Sequence, residues 1–313
     1  MGNVDNPLEA AKAGIAMINP EPHEDERGFL AETAKRSDVL KDFVLESAEF
    51  FDVPPGEAVE LDPGVVMTLD AEGAFEIGSH VVFCHRAGLR TIKLVHKARF
   101  TAGERSYIVH LKGRSGTGPA TAPPIDSDSV TSQVPAEKLM ADAVKGKILR
   151  NKTVYHTKWC KPGELIDGVK IYDLPARMDG SVRRIVLGTG ADAYSGFDLH
   201  QANYSQTQQG VIKAFHYHER QEDIWFFPSG RAKVVLVDLR KASPTFGLAN
   251  TIVCSEHSPR TIVIPRGVAH GYECLTDVGI LYLVNEEYNL GKPDELRQRW
   301  DSLHYGGWGI ENR

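Results

Sequence analysis

The chain of 313 residues is poor in cysteine, in positive charge and in long apolar runs, and each shortage excludes a class of protein. The four cysteines, Cys84, Cys160, Cys254 and Cys274, are far apart in sequence. No CxxC pair exists, so no zinc knuckle is suggested, and four thiols in so long a chain do not resemble a disulfide scaffold. Lys and Arg total 36 against 42 Asp and Glu, a net charge of −6. A broad basic surface for nucleic acid is therefore not expected, while a local basic pocket for one phosphorylated small molecule is compatible. The apolar stretches, such as TIKLVH and RAKVVLVDL, have strand length, well short of the roughly 20 residues that cross a bilayer. The opening MGNVDNPLEAAKAG lacks the basic and apolar regions of a signal peptide. Asn6 stands where an acylation signal requires Ser or Thr. The expectation is a protein of the reducing cytoplasm with no membrane partner.

What is present is an ordinary globular composition, 42% hydrophobic and 25% charged, with 29 Gly and 17 Pro to make turns. That length suggests two domains of roughly 150 residues. Residues 7–16 read as a short helix, and residues 36–51 as a second, with Ser37 as its N-cap. From the PPG at 54–56 to about 112 the chain reads as successive strands separated by turn residues. Residues 113–135, rich in Gly, Pro, Ser and Thr, read as a linker, followed by a helix over 135–151. Beyond that, short alternating strands return, and a helical turn, PDELRQRW, lies near the end. The fold class is mainly β, with two sheets packed as a jelly roll. The division adopted is 1–135 for a β-rich N-terminal domain and 136–313 for a second.

The passage that carries chemistry is GVIKAFHYHERQEDIWFFPSG, residues 210–230. His216 and His218 lie two apart on a strand, so their imidazoles share a face. Asp223 can return to that face from the next strand, and Pro265-Arg266-Gly267-Val268-Ala269-His270 brings a third imidazole to a strand end. Three His and one carboxylate suit a divalent transition metal, with iron, manganese, nickel, cobalt and zinc all admissible. An isolated HxH is more often surface or packing than a metal site; here the acid and the second segment fall at consistent offsets.

This spacing, G-x5-HxH-x4-acid-x6-G followed by P-x-G-x2-H, resembles the two-part cupin motif. Asp223 stands where Glu is usual, Cys274 replaces the terminal Asn, and the Gly before IVIP is absent. From about 164 onward the chain resembles the dTDP-4-dehydrorhamnose 3,5-epimerase family of cupins. The phrases that carry this are Gln201-Ala-Asn203-Tyr-Ser205, GVIKAFHYH, VDLRKASPTFG, IPRGVAHGY, LYLVNEEY and RQRWDSLHYGGW. The resemblance implies a C-terminal jelly-roll barrel, a small-molecule substrate of the nucleotide-sugar type, and a homodimer formed by strand exchange. It implies that His216 is the general base, that Tyr282 is the acid on the opposite ring face, and that His270 lies in the pocket floor. It places Lys213, Gln201 and Asn203 against the diphosphate and sugar, with Lys213 in place of the usual Arg. Asp238 and Arg240 read as a buried structural pair.

The departures from the family fall on the metal positions. His218 replaces a Gln, and Asp223 sits near the place of a catalytic Lys. The Asp that pairs with the base is expected near Ser302, with Asp301 beside it. A bound metal could stabilise an enolate as that Lys does, but a metal-bound His216 could not also be the base. Both readings of His216 stay open at this point. In the N-terminal half, Asp25-Glu-Arg27-Gly28-Phe-Leu-Ala-Glu32 is similar to the family's DxRGxxxE segment, which supplies an Arg and a Glu to the nucleotide site. Met178-Asp179-Gly180-Ser181 is a worn version of it. The N-terminal domain is then either a degenerate second cupin or a β-rich dimerisation or lid surface. Its histidines His80, His85, His96 and His110 form no HxH. The function expected first is a metal-assisted epimerase or isomerase of a keto sugar. The alternatives are a metal-dependent oxygenase, lyase or decarboxylase on a small acid, and a non-catalytic sugar-binding cupin.

Overall fold

The computed structural model describes residues 2–4, 6–13, 15–20, 22–85, 89–116, 124–125, 158–159, 163–189, 197–300, 303 and 308. The expected helix over 135–151, most of the linker, Cys160, Asp301 and Ser302 lie outside them. Among the described residues the helix is Pro7–Lys12, capped by Asn6, whose side chain accepts from the Glu9 amide at 3.0 Å. It ends earlier than expected, because the chain turns at Ala13 and forms the strand Ala16–Ile18. No described helix is long and apolar enough to cross a membrane.

The described strands form four sheets. In the C-terminal half, one sheet runs in the order Lys158–Trp159, Leu248–Ser255, Arg231–Asp238, Val268–Cys274, Ile212–Tyr217 and Leu296–Arg297. The sheet facing it runs Lys170–Asp173, Arg260–Ile264, Asp223–Ser229, Val278–Val284, Gln201–Thr207, Gly28–Lys35 and His23–Asp25. Together they close the jelly-roll barrel of a cupin around an apolar interior that includes Trp225, Phe227, Leu236, Ile262 and Ile280. In the N-terminal half one sheet runs Gly2–Val4, His80–Cys84, Gly73–Ile77, Ala98–Ala102 and Ala58–Leu61. Its partner runs Ala176–Asp179, Val182–Thr189, Phe43–Val53, Ser106–Ser115, Gly64–Asp70, Arg90–Leu94 and Ala16–Ile18.

Two helical expectations are corrected. Residues 36–42 are turns, and the expected helix gives way to the strand Phe43–Val53 in the middle of its sheet. Its inner face fills one core with Phe51 and Val53, and its outer face fills another with Leu45, Ala48 and Phe50. Burial on both faces removes the polar alternation that marks a strand, and the remaining apolar spacing mimics a helix. The expected turn of helix in PDELRQRW is instead the short edge strand Leu296–Arg297, paired to Ile212–Tyr217.

Each half lends a hairpin to the other. His23–Asp25 pairs with Gly28–Lys35, which pairs in turn with Gln201–Thr207 of the C-terminal barrel. Ala176–Asp179 pairs with Val182–Thr189, which pairs in turn with Phe43–Val53 of the N-terminal half. Between the two large sheets lies a core drawn from both halves, in which Phe50 and Phe226 have ring centroids 5.5 Å apart. The contacts that hold the halves together are therefore core contacts, not a surface docking.

Candidate functional site

The strand Ile212–Tyr217 carries His216, and His218 follows it on the turn into Asp223–Ser229. Strand pairing sets His216 directly opposite His270. Trp225 stands opposite Tyr282 on the facing sheet. The result is a cavity of about 450 Å³ lined by His216, His218, Asp223, Trp225 and Tyr282 among others. One ligand atom from each of His216, His218, Asp223 and His270 lies within 4.8 Å of the others. The His270 and His216 rings are 4.2 Å apart between centroids. His270 Nε2 is 3.7 Å from Asp223 Oδ2, and His218 Nε2 is 3.9 Å from Asp223 Oδ1.

The ring nitrogens are not equivalent. His270 donates from Nδ1 to the Val268 carbonyl at 2.9 Å, which leaves the Nε2 lone pair facing the cluster. That Nε2 is buried and has no hydrogen-bond partner. His218 donates from Nδ1 to the Asp294 carbonyl, so its Nε2 also faces inward as an acceptor. The Gln221 amide donates to that Nε2 at 3.2 Å and to Asp223 Oδ1 at 2.7 Å. Asp223 Oδ2 accepts from Trp225 Nε1 at 2.9 Å. Among the described residues no hydrogen-bond partner of the His216 ring is found, and the ring lies within the same four-residue cluster. Burial, and then the neighbouring His270 and His218, push its pKa well below 6.5. Burial pushes His270 down to about 4 and pushes the Tyr282 phenol well above 10.

A buried, unpartnered imidazole nitrogen beside a carboxylate is what a divalent ion would satisfy, and the carbonyl-bound Nδ1–H groups are the usual outer support of metal-binding histidines. The residues present fit such an ion. An ion here would displace the Gln221 amide from between His218 and Asp223.

The substrate-binding expectations divide. Lys213 lines the cavity, half-buried, with Nζ donating to Ser205 Oγ at 3.1 Å. Burial pushes its pKa down. Gln201 and Asn203 do not line the cavity. They sit on the interior strand Gln201–Thr207, where Gln201 Nε2 donates to Asn203 Oδ1 at 2.7 Å and Gln201 Oε1 accepts from the Tyr288 amide at 2.9 Å. Asp238 and Arg240 form the expected buried pair, which Ser243 and Thr245 complete.

Several pocket residues have no signal in local spacing. His23, Asp25 and Arg27 reach the cavity from the N-terminal half on the exchanged hairpin. Of these, only Asp25 and Arg27 lay in a recognisable phrase. Glu295, Arg297 and Gln298 reach it from the segment read as helix. Asp294 was also missed. Its carboxylate accepts from the amides of Glu219, Arg220 and Gln221 at 3.1, 2.7 and 2.8 Å, holding the turn that aims His218 and Gln221. Nothing in a Pro-Asp-Glu triplet announces that role.

The model of the dTDP-4-dehydrorhamnose 3,5-epimerase family matches residues 190–306. The chain is 43% identical over 154 residues to the spore coat polysaccharide biosynthesis protein SpsL of Bacillus subtilis, a match covering 48% of this chain and 100% of that one. It is 36% identical over 141 residues to the probable low-salt glycan biosynthesis epimerase Agl13 of Haloferax volcanii, covering 44% of this chain and 89% of that one. Among solved structures it is similar to the RmlC epimerase of Mycobacterium tuberculosis, at 29% identity and a TM-score of 0.40, over 43% of this chain and 70% of that one. Through its C-terminal half, the chain belongs to the dTDP-4-dehydrorhamnose 3,5-epimerase family.

Proposed function

We propose that the chain is an epimerase or isomerase that acts on a nucleotide-linked keto sugar by removing a proton alpha to the carbonyl. The observation that carries this reading is the meeting of His216 and Tyr282 in one cavity, each already in the protonation state its role requires. His216 is neutral at pH 7 because burial and two neighbouring imidazoles disfavour its cation. Its ring nitrogen can accept the sugar proton. Tyr282 keeps its proton because burial disfavours the phenolate, and it can return a proton to the ring. Arg27 and Lys213 at the cavity wall suit the charge of a diphosphate.

In this reading His218, Asp223 and His270 would hold a divalent ion, supported by the inward Nε2 atoms of the two carbonyl-tied histidines and the carboxylate beside both. His216 lies within the same cluster, and the reading assigns it to the base because its ring has no such tie to a described residue. The ion would supply Lewis acidity at the sugar carbonyl oxygen, the service a cationic side chain provides elsewhere. Incubation with a panel of nucleotide-linked 4-keto sugars in deuterated water tests the reading. Solvent deuterium enters the ring carbon beside the carbonyl of at least one of them. Oxygen consumption dependent on Fe(II), with no exchange on any sugar, would overturn it in favour of an oxygenase.

A further inference from the structure

The two halves share an architecture that their sequences conceal. Read outward from each exchanged hairpin, the large sheets correspond strand for strand. Ala176–Asp179, Val182–Thr189, Phe43–Val53, Ser106–Ser115, Gly64–Asp70, Arg90–Leu94 and Ala16–Ile18 answer His23–Asp25, Gly28–Lys35, Gln201–Thr207, Val278–Val284, Asp223–Ser229, Arg260–Ile264 and Lys170–Asp173. The registers agree as well. Val66 stands opposite His110 as Trp225 stands opposite Tyr282. Glu49 stands opposite His110 as Asn203 stands opposite Tyr282. Asp179 pairs with Val182 as Asp25 pairs with Gly28. Each smaller sheet opens with a parallel pair, Gly2–Val4 with His80–Cys84 and Lys158–Trp159 with Leu248–Ser255.

The chemistry is not repeated. In this register Gly64 takes the place of Asp223, and the inward residues of the two strands answering those of His216 and His270 are Val59, Leu61, Ala98 and Phe100, all in one apolar cluster. His110 covers the position above Gly64, where a Cβ would lie 2.8 Å from its Nε2. The N-terminal interior is packed where the C-terminal one is open.

The connection between the halves of the exchange is short and ordered. Residues 36–42 lead from Lys35 in the C-terminal sheet to Phe43 in the N-terminal one. Asp38 accepts from the Lys35 amide at 2.8 Å, and Arg36 Nη1 donates to Asp198 at 2.9 Å. This compact turn delivers the two strands to neighbouring sheets of the same molecule.

We propose that the chain is a tandem of two copies of one cupin unit that exchange hairpins in cis. Among the described residues the barrel interior of the N-terminal copy is filled by apolar side chains, and this copy serves as the wall of the other, through residues 23–30. The second subunit that strand exchange would otherwise require is carried within the same polypeptide.

Cysteine cross-linking of the full chain tests this without reference to any activity. Phe29 and Gln206 are opposite one another in the exchanged pairing, as are Asp52 and Arg183 in the reciprocal one. The described native cysteines Cys84, Cys254 and Cys274 are buried, and single-cysteine variants control for all native thiols. Oxidised Phe29→Cys/Gln206→Cys is expected to give an intrachain disulfide that migrates at the mass of one chain, 34.5 kDa, on a non-reducing gel. Where that variant does not fold, Asp52→Cys/Arg183→Cys gives the same result. A covalent dimer at twice the mass, or no disulfide in a folded variant, overturns the proposal.

Discussion

His218 and Asp294 are 76 residues apart in the chain, yet the Asp294 carbonyl accepts the His218 Nδ1–H and thereby turns the other ring nitrogen toward Asp223. With His270 held the same way by Val268, the pocket has two imidazoles aimed at one carboxylate. The first prediction follows from that asymmetry among the histidines. Elemental analysis and titration with Co(II) or Zn(II) are expected to show about one ion per chain. His270→Gln and Asp223→Asn weaken binding by at least about tenfold, by removal of a ligand. His216→Gln leaves it within about twofold. Loss of the ion in His216→Gln would instead make His216 a ligand.

Tyr282→Phe separates the two proton transfers. Without the phenol, His216 still removes the sugar proton, so deuterium wash-in at the ring carbon persists while net inversion falls by about 10²-fold or more. Product stereochemistry by NMR, followed beside wash-in, checks this. Equal loss of both would assign Tyr282 to the first step.

Gly28 holds the hairpin against the C-terminal barrel. Its φ is +133°, and a Cβ there would lie 2.0 Å from the Gln206 carbonyl oxygen. Gly28→Val is expected to cost more than about 2 kcal/mol, through both the backbone conformation and the lost close approach. Urea denaturation measures it, and an unchanged midpoint would contradict the pairing.

The stability of the N-terminal half carries a pH dependence of known sign. Burial pushes His110 down to about 4 from its usual 6.5, outweighing the opposite pull of Glu49, whose carboxylate is 4.0 Å from its Nδ1. Lys112, paired with Glu49, adds to the downward push, and Asp62 opposes it. The folded state refuses a proton that the unfolded chain accepts, so stability falls as pH drops from 6.5 to 4 and the effect is flat below. The full difference is up to about 3 kcal/mol. His110→Gln flattens that part of the profile, as urea titrations at pH 7, 5.5 and 4.5 would show. Parallel profiles for the two proteins would exclude a neutral buried His110.

The sequence made the site more legible than the fold around it. His216, His218, Asp223 and His270 could be read together because a strand repeats every two residues, so spacing alone puts ligands on one face. Phe43–Val53 was opaque for the opposite reason. It is buried on both sides, and no polar face remains to show its period. The exchange of hairpins leaves no local mark, since Gly28–Lys35 would look the same whichever sheet received it. Asp294 acts through backbone amides and its own carbonyl on a turn more than 70 residues away, which residue type and spacing do not encode. Gln201 and Asn203 sat within a family phrase, yet Gln201 donates to Asn203 and accepts from the Tyr288 amide, and neither lines the cavity.

The central claim is that neutral His216 removes the proton beside a sugar carbonyl. Deuterium wash-in from solvent into a nucleotide-linked 4-keto sugar, compared between the wild type and His216→Gln at pH 7, tests it most directly. The account predicts exchange in the wild type and a loss of about 10²- to 10⁴-fold in the variant, with ion content unchanged. Exchange that survives in His216→Gln would contradict it.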